Sequence, residues 1–214
     1  MNRTLYIVSG LMIGMTAPVA GASDAVNGDR HTFTSPGGVA ESCVALVKMP
    51  GGIYSDDDGA AEEALCSIDI YDKNVALCPK LRSTSPGTFV YRIGEGPYAG
   101  NQKGFEAEVC PRGKIVVKEA DGPPAGFKVT MNARNTSGTF STASLLYYHF
   151  ARYLDAAVYV PVAVYRSMDR QAHHDRVAMP GLRLTADQSS LKMIHAAWRD
   201  MVTDEETPGT YQPV

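Results

Sequence analysis

Short apolar runs separated by turn residues fill the chain from residue 41 to residue 131, a pattern typical of β-strands. Clusters rich in Gly and Pro, such as Pro50–Gly52 and Asp121–Pro124, separate the runs and favour turns. The sequence therefore predicts a largely antiparallel β-region. Its predicted strands are Cys43–Lys48, Cys66–Tyr71, Val75–Cys78, Thr88–Ile93, Phe105–Cys110, Lys114–Lys118 and Phe127–Met131.

Helical spacing replaces this pattern after residue 139. Residues 139–154 repeat apolar side chains near every third or fourth position, which predicts an amphipathic helix with one buried face. The β-branched run Val158–Tyr165 then predicts a strand, and Pro161 favours an edge position for it. Residues 169–184 are polar and are predicted to form a loop. The apolar stripe of the helix comprises Phe140, Ala143, Leu146, Phe150 and Leu154.

A second amphipathic helix is predicted from Ala186 to Val202. Thr185 and Gln188 have the spacing of a capping box at its start. One apolar face runs along this helix and is predicted to pack on the β-region. That face comprises Leu191, Ile194, Trp198 and Met201.

The first 22 residues have the pattern of a secretory signal peptide. Arg3 supplies a positive charge, an apolar run follows over Leu5–Met15, and the small residues Ala20–Ala22 form a cleavage site. The apolar run is shorter than the roughly 20 residues of a membrane span. The sequence therefore predicts cleavage near Ala22 and a periplasmic or extracellular mature protein, with an uncleaved amino-terminal anchor as the alternative.

Four cysteines, an even number, lie after the predicted cleavage site. In an oxidising compartment this count favours two disulfides. A hairpin centred near Asp72 would set Cys66 opposite Cys78, so this pairing is predicted, and it leaves Cys43 for Cys110. Zinc coordination is the alternative, but the sequence contains no Cys-x-x-Cys pair.

These elements together predict the fold class and the domain organisation. The fold is α+β, with a disulfide-stapled antiparallel β-region followed by a helix, an edge strand and a C-terminal amphipathic helix. A single domain is expected over residues 41–203. Residues 23–40 are predicted to be a flexible leader. Residues 204–214 form an acidic, Pro-rich tail and are either an exposed peptide or a truncation point.

The charge balance of the 214-residue chain narrows the choice of partners. The chain carries 20 basic and 23 acidic side chains, a net charge of −3, which disfavours nucleic acid as a partner. No second apolar segment reaches membrane length, so no membrane span is predicted in the mature chain. Another exported protein is one candidate partner.

Acidic and histidine clusters are the candidate metal or general-base groups. The stretch Asp56–Asp58 with Glu62 and Glu63 lacks the alternating ligands of a calcium loop, so a solvated loop is favoured. The run His173–Asp175 and His195 lack metal-ligand spacing and are interpreted as structural. No metal is predicted. No serine lies in a Gly-x-Ser-x-Gly or Ser-x-x-Lys motif, so the catalytic residues of any enzyme stay unknown.

A glycine-rich stretch, Gly94–Gly104, lies between two predicted strands. Backbone N–H groups in such a loop can approach an anion because side chains are missing. The signal is weak by itself, since Pro97 removes one donor and an ordinary long turn has the same composition.

The order of elements around this loop resembles the small lobe of protein-kinase-like folds. The loop is followed by a predicted strand with Lys128, the helix over residues 141–154 and the strand over residues 160–165. The junction Tyr147-Tyr148-His149-Phe150-Ala-Arg152-Tyr-Leu154, followed by Val160-Pro161, is similar to that of atypical secretory-pathway kinases and their lipid-kinase relatives. The resemblance covers residues 88–166.

The resemblance implies a nucleotide site. Lys128, with Gly94 and Gly96, would bind the phosphates of ATP together with a divalent metal. The acidic residue that orients this lysine in the family would fall near Ser144, where the chain has no acid. The chain also lacks a His-Arg-Asp loop and an Asp-Phe-Gly motif. The resemblance therefore implies a small lobe without the catalytic lobe that accompanies it in the family.

Two functions from different classes therefore remain. The first is an exported globular binding or structural module without a catalytic constellation and without a cofactor. The second is the amino-terminal lobe of a kinase-like, nucleotide-binding protein. Stabilisation by ATP that depends on Lys128 distinguishes the second from the first.

Overall fold

A computed structural model describes residues 26–130 and 140–207. The predicted signal peptide, residues 1–22, lies outside this range. The described chain is α+β, with two small antiparallel sheets, helices around them and two disulfides. The predicted fold class is confirmed.

The first sheet has the strand order β1–β2–β6. Strand β1 (Gly28–Thr34) pairs antiparallel with β2 (Ala40–Leu46), and β2 pairs antiparallel with β6 (Tyr165–Arg166). The prediction of a flexible leader over residues 23–40 is therefore wrong where β1 lies. Every residue of β1 has a partner in β2, so this polar strand is held by its backbone ladder rather than by an apolar face.

The second sheet contains the predicted central strands. It has the order β3 (Val75–Pro79), β4 (Thr88–Arg92) and β5 (Ala125–Phe127), all antiparallel. The predicted strand over 114–118 is wrong, because Ile115 and Val116 are exposed and pair with no strand. Strand β5 is the edge of this sheet and reaches only to Phe127.

Helix α1 (Asp56–Cys66) lies where a solvated acidic loop was predicted, and it begins at a capping box in which Ser55 and Asp58 bond each other's backbone N–H groups. The predicted strand Cys66–Tyr71 is also wrong, because Cys66 ends this helix and the residues after it form turns. Helix α2 (Gln102–Glu108) lies where the strand Phe105–Cys110 was predicted, and it begins at Asn101, whose side chain accepts from the Gly104 N–H.

All four cysteines form disulfides, as predicted, but the predicted pairing is wrong. The bonds join Cys43 to Cys66 and Cys78 to Cys110. Because Cys66 ends a helix, it lies against β2 rather than opposite β3. The short 3-10 turn Cys110–Arg112 follows α2, which packs against β3, and this brings Cys110 to Cys78.

Helix α3 (Ala143–Tyr153) forms close to its predicted position, but the predicted buried face is wrong. Tyr148, His149 and Ala151 are buried. The members of the predicted stripe Phe140, Leu146, Phe150 and Leu154 are exposed by 64%, 49%, 46% and 69%. The buried face toward α1 carries polar aromatic side chains, and a search for a stripe of apolar residues does not identify such side chains as buried.

The predicted loop over 169–184 is also wrong, because these residues are helical. Helix α4 (Arg170–His173), a π-helical turn (His174–Ala178) and helix α5 (Met179–Thr185) follow one another directly. The Asp169 side chain caps the start by accepting from the Gln171 N–H.

Helix α6 (Lys192–Glu206) completes the fold. Its predicted stripe is confirmed, since Ile194, Trp198 and Met201 are buried and Leu191 packs against them. The predicted capping box is not found, because Thr185 belongs to α5. The helix extends into the predicted tail, where the buried Glu205 lies 2.6 Å from Nδ1 of His173. Within residues 26–130 and 140–207, no helix combines the length and the hydrophobicity needed to cross a membrane.

Candidate functional site

A cleft of about 970 Å³ lies between the two sheets and α3. One wall is the edge strand β5 with Lys128 after it. Residues 159–165, which lead from α3 into β6, form another part of the lining. The floor contains the apolar side chains of Leu65 and Ile68, at the C-terminal end of α1. The cleft therefore combines apolar surface with backbone from two chain segments.

Lys80, Gly87 and Lys128 form a row across one end of the second sheet, here called the Lys–Gly–Lys row. Lys80 follows β3, Gly87 precedes β4 and Lys128 follows β5, and the Lys80 N–H donates to the Gly87 carbonyl over 2.8 Å. A Cβ placed on Gly87 would lie 3.4 Å from Cδ of Lys80 and 3.5 Å from Cγ of Lys128. The aliphatic parts of the two lysine side chains therefore pack over Gly87, which is buried, and both lysines line the cleft beside it.

The lysines of this row repel each other without a compensating carboxylate. Burial and the charge of Lys128 lower the pKa of Lys80 below its ordinary value. Among the described residues, no carboxylate forms an ion pair with either lysine. The Lys80 ammonium lies 4.6 Å from the ring centroid of Phe89, a contact that offsets only part of this cost. An anion in the cleft would relieve the repulsion.

Arg166 adds a third cation to the lining of the cleft. Its side chain is 9% exposed and its guanidinium stacks on the Phe33 ring, 3.9 Å from the centroid. Nη1 donates to the Ile68 carbonyl, whereas Nε and Nη2 are buried without a hydrogen-bond partner among the described residues. The nearest carboxylate oxygen, Oε2 of Glu41, is 3.9 Å from Nη2. Buried donors without acceptors are costly, so this guanidinium retains hydrogen-bonding capacity.

The lining is cationic overall. It includes one acidic side chain, Asp121, whose carboxylate already accepts from the N–H groups of Gly94 and Glu95 at 2.6 and 3.0 Å. The basic side chains of the lining are Lys80, Arg92, Lys128 and Arg166.

The predicted glycine loop and the predicted lysine have different surroundings. Lys128 lines the cleft, but Gly94 and Gly96 do not. The Gly94 N–H is engaged by Asp121, and a Cβ on Gly96 would lie 2.7 Å from the Glu119 carbonyl oxygen. The glycine at position 96 therefore permits close packing of two backbone segments, and the anion that this loop holds is a carboxylate of the chain itself.

Helix α3 is fixed against α1 by a polar interface. The Arg152 guanidinium donates two hydrogen bonds to Asp58, at 2.8 and 2.6 Å, and lowers the pKa of that carboxyl to about 2. One turn earlier, the Tyr148 hydroxyl donates to Glu62. The side chain of His149 contacts the Tyr54 hydroxyl over 2.7 Å, and burial lowers its pKa. This interface determines where α3 borders the cleft.

The remaining candidate residues have structural contacts outside the cleft. His173 pairs with Glu205, and His174 contacts Asp175. His195 contacts the Thr185 hydroxyl over 3.1 Å. Across residues 26–130 and 140–207, no three His, Cys, Asp or Glu side chains are grouped as a metal site.

Sequence reasoning did not find Lys80, Gly87 or Arg166. Their separation along the chain carries no motif, and only the strand register brings Lys80 beside Gly87. The usable signal was a pair of lysines near predicted strands, since Lys80 follows the predicted strand Val75–Cys78 and Lys128 lies within the predicted strand Phe127–Met131. No family model, characterised protein or solved structure matches this chain.

Proposed function

We propose that this protein is an exported binding module that holds an anionic partner in the cleft. The observation that carries the proposal is that Lys80 and Lys128 both line the cleft, that their like charges repel, and that no described carboxylate forms an ion pair with either. Clefts with apolar walls and a few convergent polar groups are typical binding sites. On binding, the partner would lose bound water, pair its negative charge with the two lysine ammonium groups and contact the apolar floor of the cleft.

Export is supported by the cysteines and by the amino-terminal sequence pattern. Two disulfides join the helices to the sheets, and bonds of this kind persist in oxidising compartments. The apolar run at Leu5–Met15, followed by the small residues Ala20–Ala22, has the pattern of a cleaved leader. Both features agree with a protein that acts in the periplasm or outside the cell.

Calorimetric melting with citrate, a small organic trianion, tests the anion site. At a concentration 100 times its dissociation constant, citrate should add about 2.7 kcal/mol to the free energy of unfolding. Sodium chloride at the same ionic strength controls for general screening. The double variant Lys80→Gln/Lys128→Gln should lose this stabilisation, whereas Lys192→Gln, an exposed position on α6, should keep it. Equal stabilisation of all three proteins, or none of the wild type, would refute the site.

A kinase-like nucleotide lobe is the second candidate. It is supported by one observation, that Lys128 and Ser144 of α3 line the same cleft. The β3–β4 turn, which ends at Gly87, lies beside Lys128 and would replace the predicted glycine loop over the phosphates. After Arg166 the described chain is helical, so a catalytic lobe would have to come from elsewhere.

ATP with magnesium separates the two candidates in the same assay. A nucleotide lobe predicts stabilisation by ATP at concentrations where citrate has no effect, and loss of that stabilisation in Lys128→Gln. An anion site without nucleotide specificity predicts that citrate and ATP stabilise in proportion to their charge. The second pattern would remove the kinase-like candidate and leave the first.

A further inference from the structure

Two stretches of backbone that line the cleft have no strand partner on one side among the described residues. Strand β5 is an edge of its sheet, and it pairs with β4 on one side only. Residues 160–164 lead into β6, and they form no backbone-to-backbone hydrogen bonds with other described residues. Both stretches line the same cavity, so backbone groups of both border the cleft.

The segment over residues 160–164 has the sequence of a strand, but no described strand pairs with it. Its β-branched residues alternate with Pro161 and Ala163, and four of its five residues are half-buried. Backbone N–H and C=O groups that are removed from water without partners are costly, and more than nine in ten such groups in proteins are paired. Small-molecule anions cannot satisfy a row of such groups, but a polypeptide strand can.

We propose that the partner in the cleft is an extended acidic peptide segment, which adds as a β-strand between β5 and residues 160–164. This inference rests on the proposed anion site and names the chemistry of its ligand. Main-chain hydrogen bonds to the two edges supply affinity, and the side chains of the peptide alternate between the two sides of the added strand. Acidic side chains on one side meet Lys80 and Lys128, two of the cations that line the cleft.

Charge complementarity favours an acidic peptide over a basic one in the cleft. Among the described lining residues Asp121 is the one acid, and its carboxylate already accepts from two backbone N–H groups. Lys80 and Lys128 form no ion pair with a described carboxylate. A basic peptide would leave these groups unpaired and would be repelled.

Fluorescence anisotropy with three labelled octapeptides tests the inference. The first alternates Asp and Val, the second is the same peptide with N-methylated valines, and the third replaces each Asp by Lys. N-methylation removes backbone donors and keeps the charge, so it should weaken binding about tenfold or more. The Lys peptide should not bind. Equal binding of the first two peptides would overturn strand addition, and so would no binding of the first.

Two protein variants identify the edge that is used. Adjacent N–H groups of an extended chain point to opposite sides, so one of Val162→Pro and Ala163→Pro removes a donor that faces the cleft. The other is its matched control, because both fix the same extended backbone. One variant should bind the Asp peptide about tenfold more weakly than the other. Equal affinities for the two variants would contradict pairing at this edge.

The citrate experiments distinguish a failure of strand addition from a failure of the anion site. If citrate stabilises the protein and the Asp peptide does not bind, strand addition is wrong and the anion site stands. If neither binds, both proposals are wrong. If the Asp peptide binds and citrate competes with it, both are supported.

Discussion

The Tyr148 hydroxyl donates a hydrogen bond to Oε1 of Glu62 over 2.8 Å, and both side chains are buried. This contact joins α3 to α1, and the predicted apolar stripe of α3 is left exposed to solvent. A helix that looks amphipathic by its aliphatic residues is therefore fixed through its polar aromatic face.

The outward orientation of the stripe predicts a reversal of the usual mutational pattern. Tyr148→Phe leaves the buried Glu62 carboxylate without its donor, so it should lower the free energy of unfolding by about 1–3 kcal/mol. Leu154→Ala, at a position that is 69% exposed, should change it by less than about 0.5 kcal/mol. Chemical denaturation measures both values. A larger loss for Leu154→Ala than for Tyr148→Phe would show that α3 buries its aliphatic stripe.

The ion pair between Asp58 and Arg152 predicts a pH dependence of stability. The pKa of Asp58 is about 2 in the folded protein, below its ordinary value of 3.8, so the unfolded chain takes up a proton first. The stabilisation, about 2 kcal/mol, is fully present above pH 3.8 and is lost as the pH falls toward 2. Asp58→Asn should therefore be less stable than wild type at pH 7, and the difference should shrink below pH 3.8.

Asp57→Asn is the matched control for this experiment. Asp57 lies in the same first turn of α1 but is exposed, so only its interaction with the helix dipole is lost, worth about 0.3–1 kcal/mol. Urea denaturation across the acidic pH range measures both variants. If stability depended on pH in the same way in both variants, Arg152 would not stabilise the Asp58 carboxylate specifically.

Two helical glycines should respond oppositely to alanine. A Cβ on Gly181 of α5 would lie 2.5 Å from Cδ2 of Trp198, so Gly181→Ala should lower the free energy of unfolding by about 1–3 kcal/mol. A Cβ on Gly59 of α1 meets only the Lys48 ammonium, at 3.9 Å, so Gly59→Ala should raise it by up to about 1 kcal/mol. Thermal melting checks both, and stabilisation by Gly181→Ala would contradict the packing of α5 on α6.

The disulfide connectivity is directly measurable. Proteolysis without reduction, followed by mass spectrometry, should yield peptides that link Cys43 to Cys66 and Cys78 to Cys110. Loops closed over 23 and 32 residues are each worth about 3–4 kcal/mol in the chain-entropy account. Removing either pair with Ser should cost that amount. Peptides that link Cys66 to Cys78 would place Cys66 in a strand and overturn α1.

Sequence patterns predicted the structure correctly where the buried positions follow the spacing of apolar residues. The strands around Val75 and Thr88 were predicted because their cores are contiguous apolar runs bounded by turns. The face of α6 around Trp198 was predicted because it packs on the sheet through an aliphatic and aromatic stripe. In both cases local periodicity and tertiary contact agree.

The sequence failed where caps and side-chain hydrogen bonds decide the structure. The cap at Ser55 turns the predicted acidic loop into a helix that ends at Cys66, and this places Cys66 beside Cys43 rather than in a hairpin strand opposite Cys78. The candidate site could not be predicted from the sequence for a different reason. Lys80 and Lys128 come together through strand register, and no local pattern encodes which strand ends share an edge.

The pKa of Lys80, measured by NMR from its side-chain signals with and without citrate, tests the anion site most directly. Burial and Lys128 hold this pKa below the ordinary value of 10.5 in the free protein, and a bound anion should raise it by about one unit or more. Lys192 should be unaffected. A Lys80 pKa that does not change with citrate, or changes no more than that of Lys192, would contradict the account.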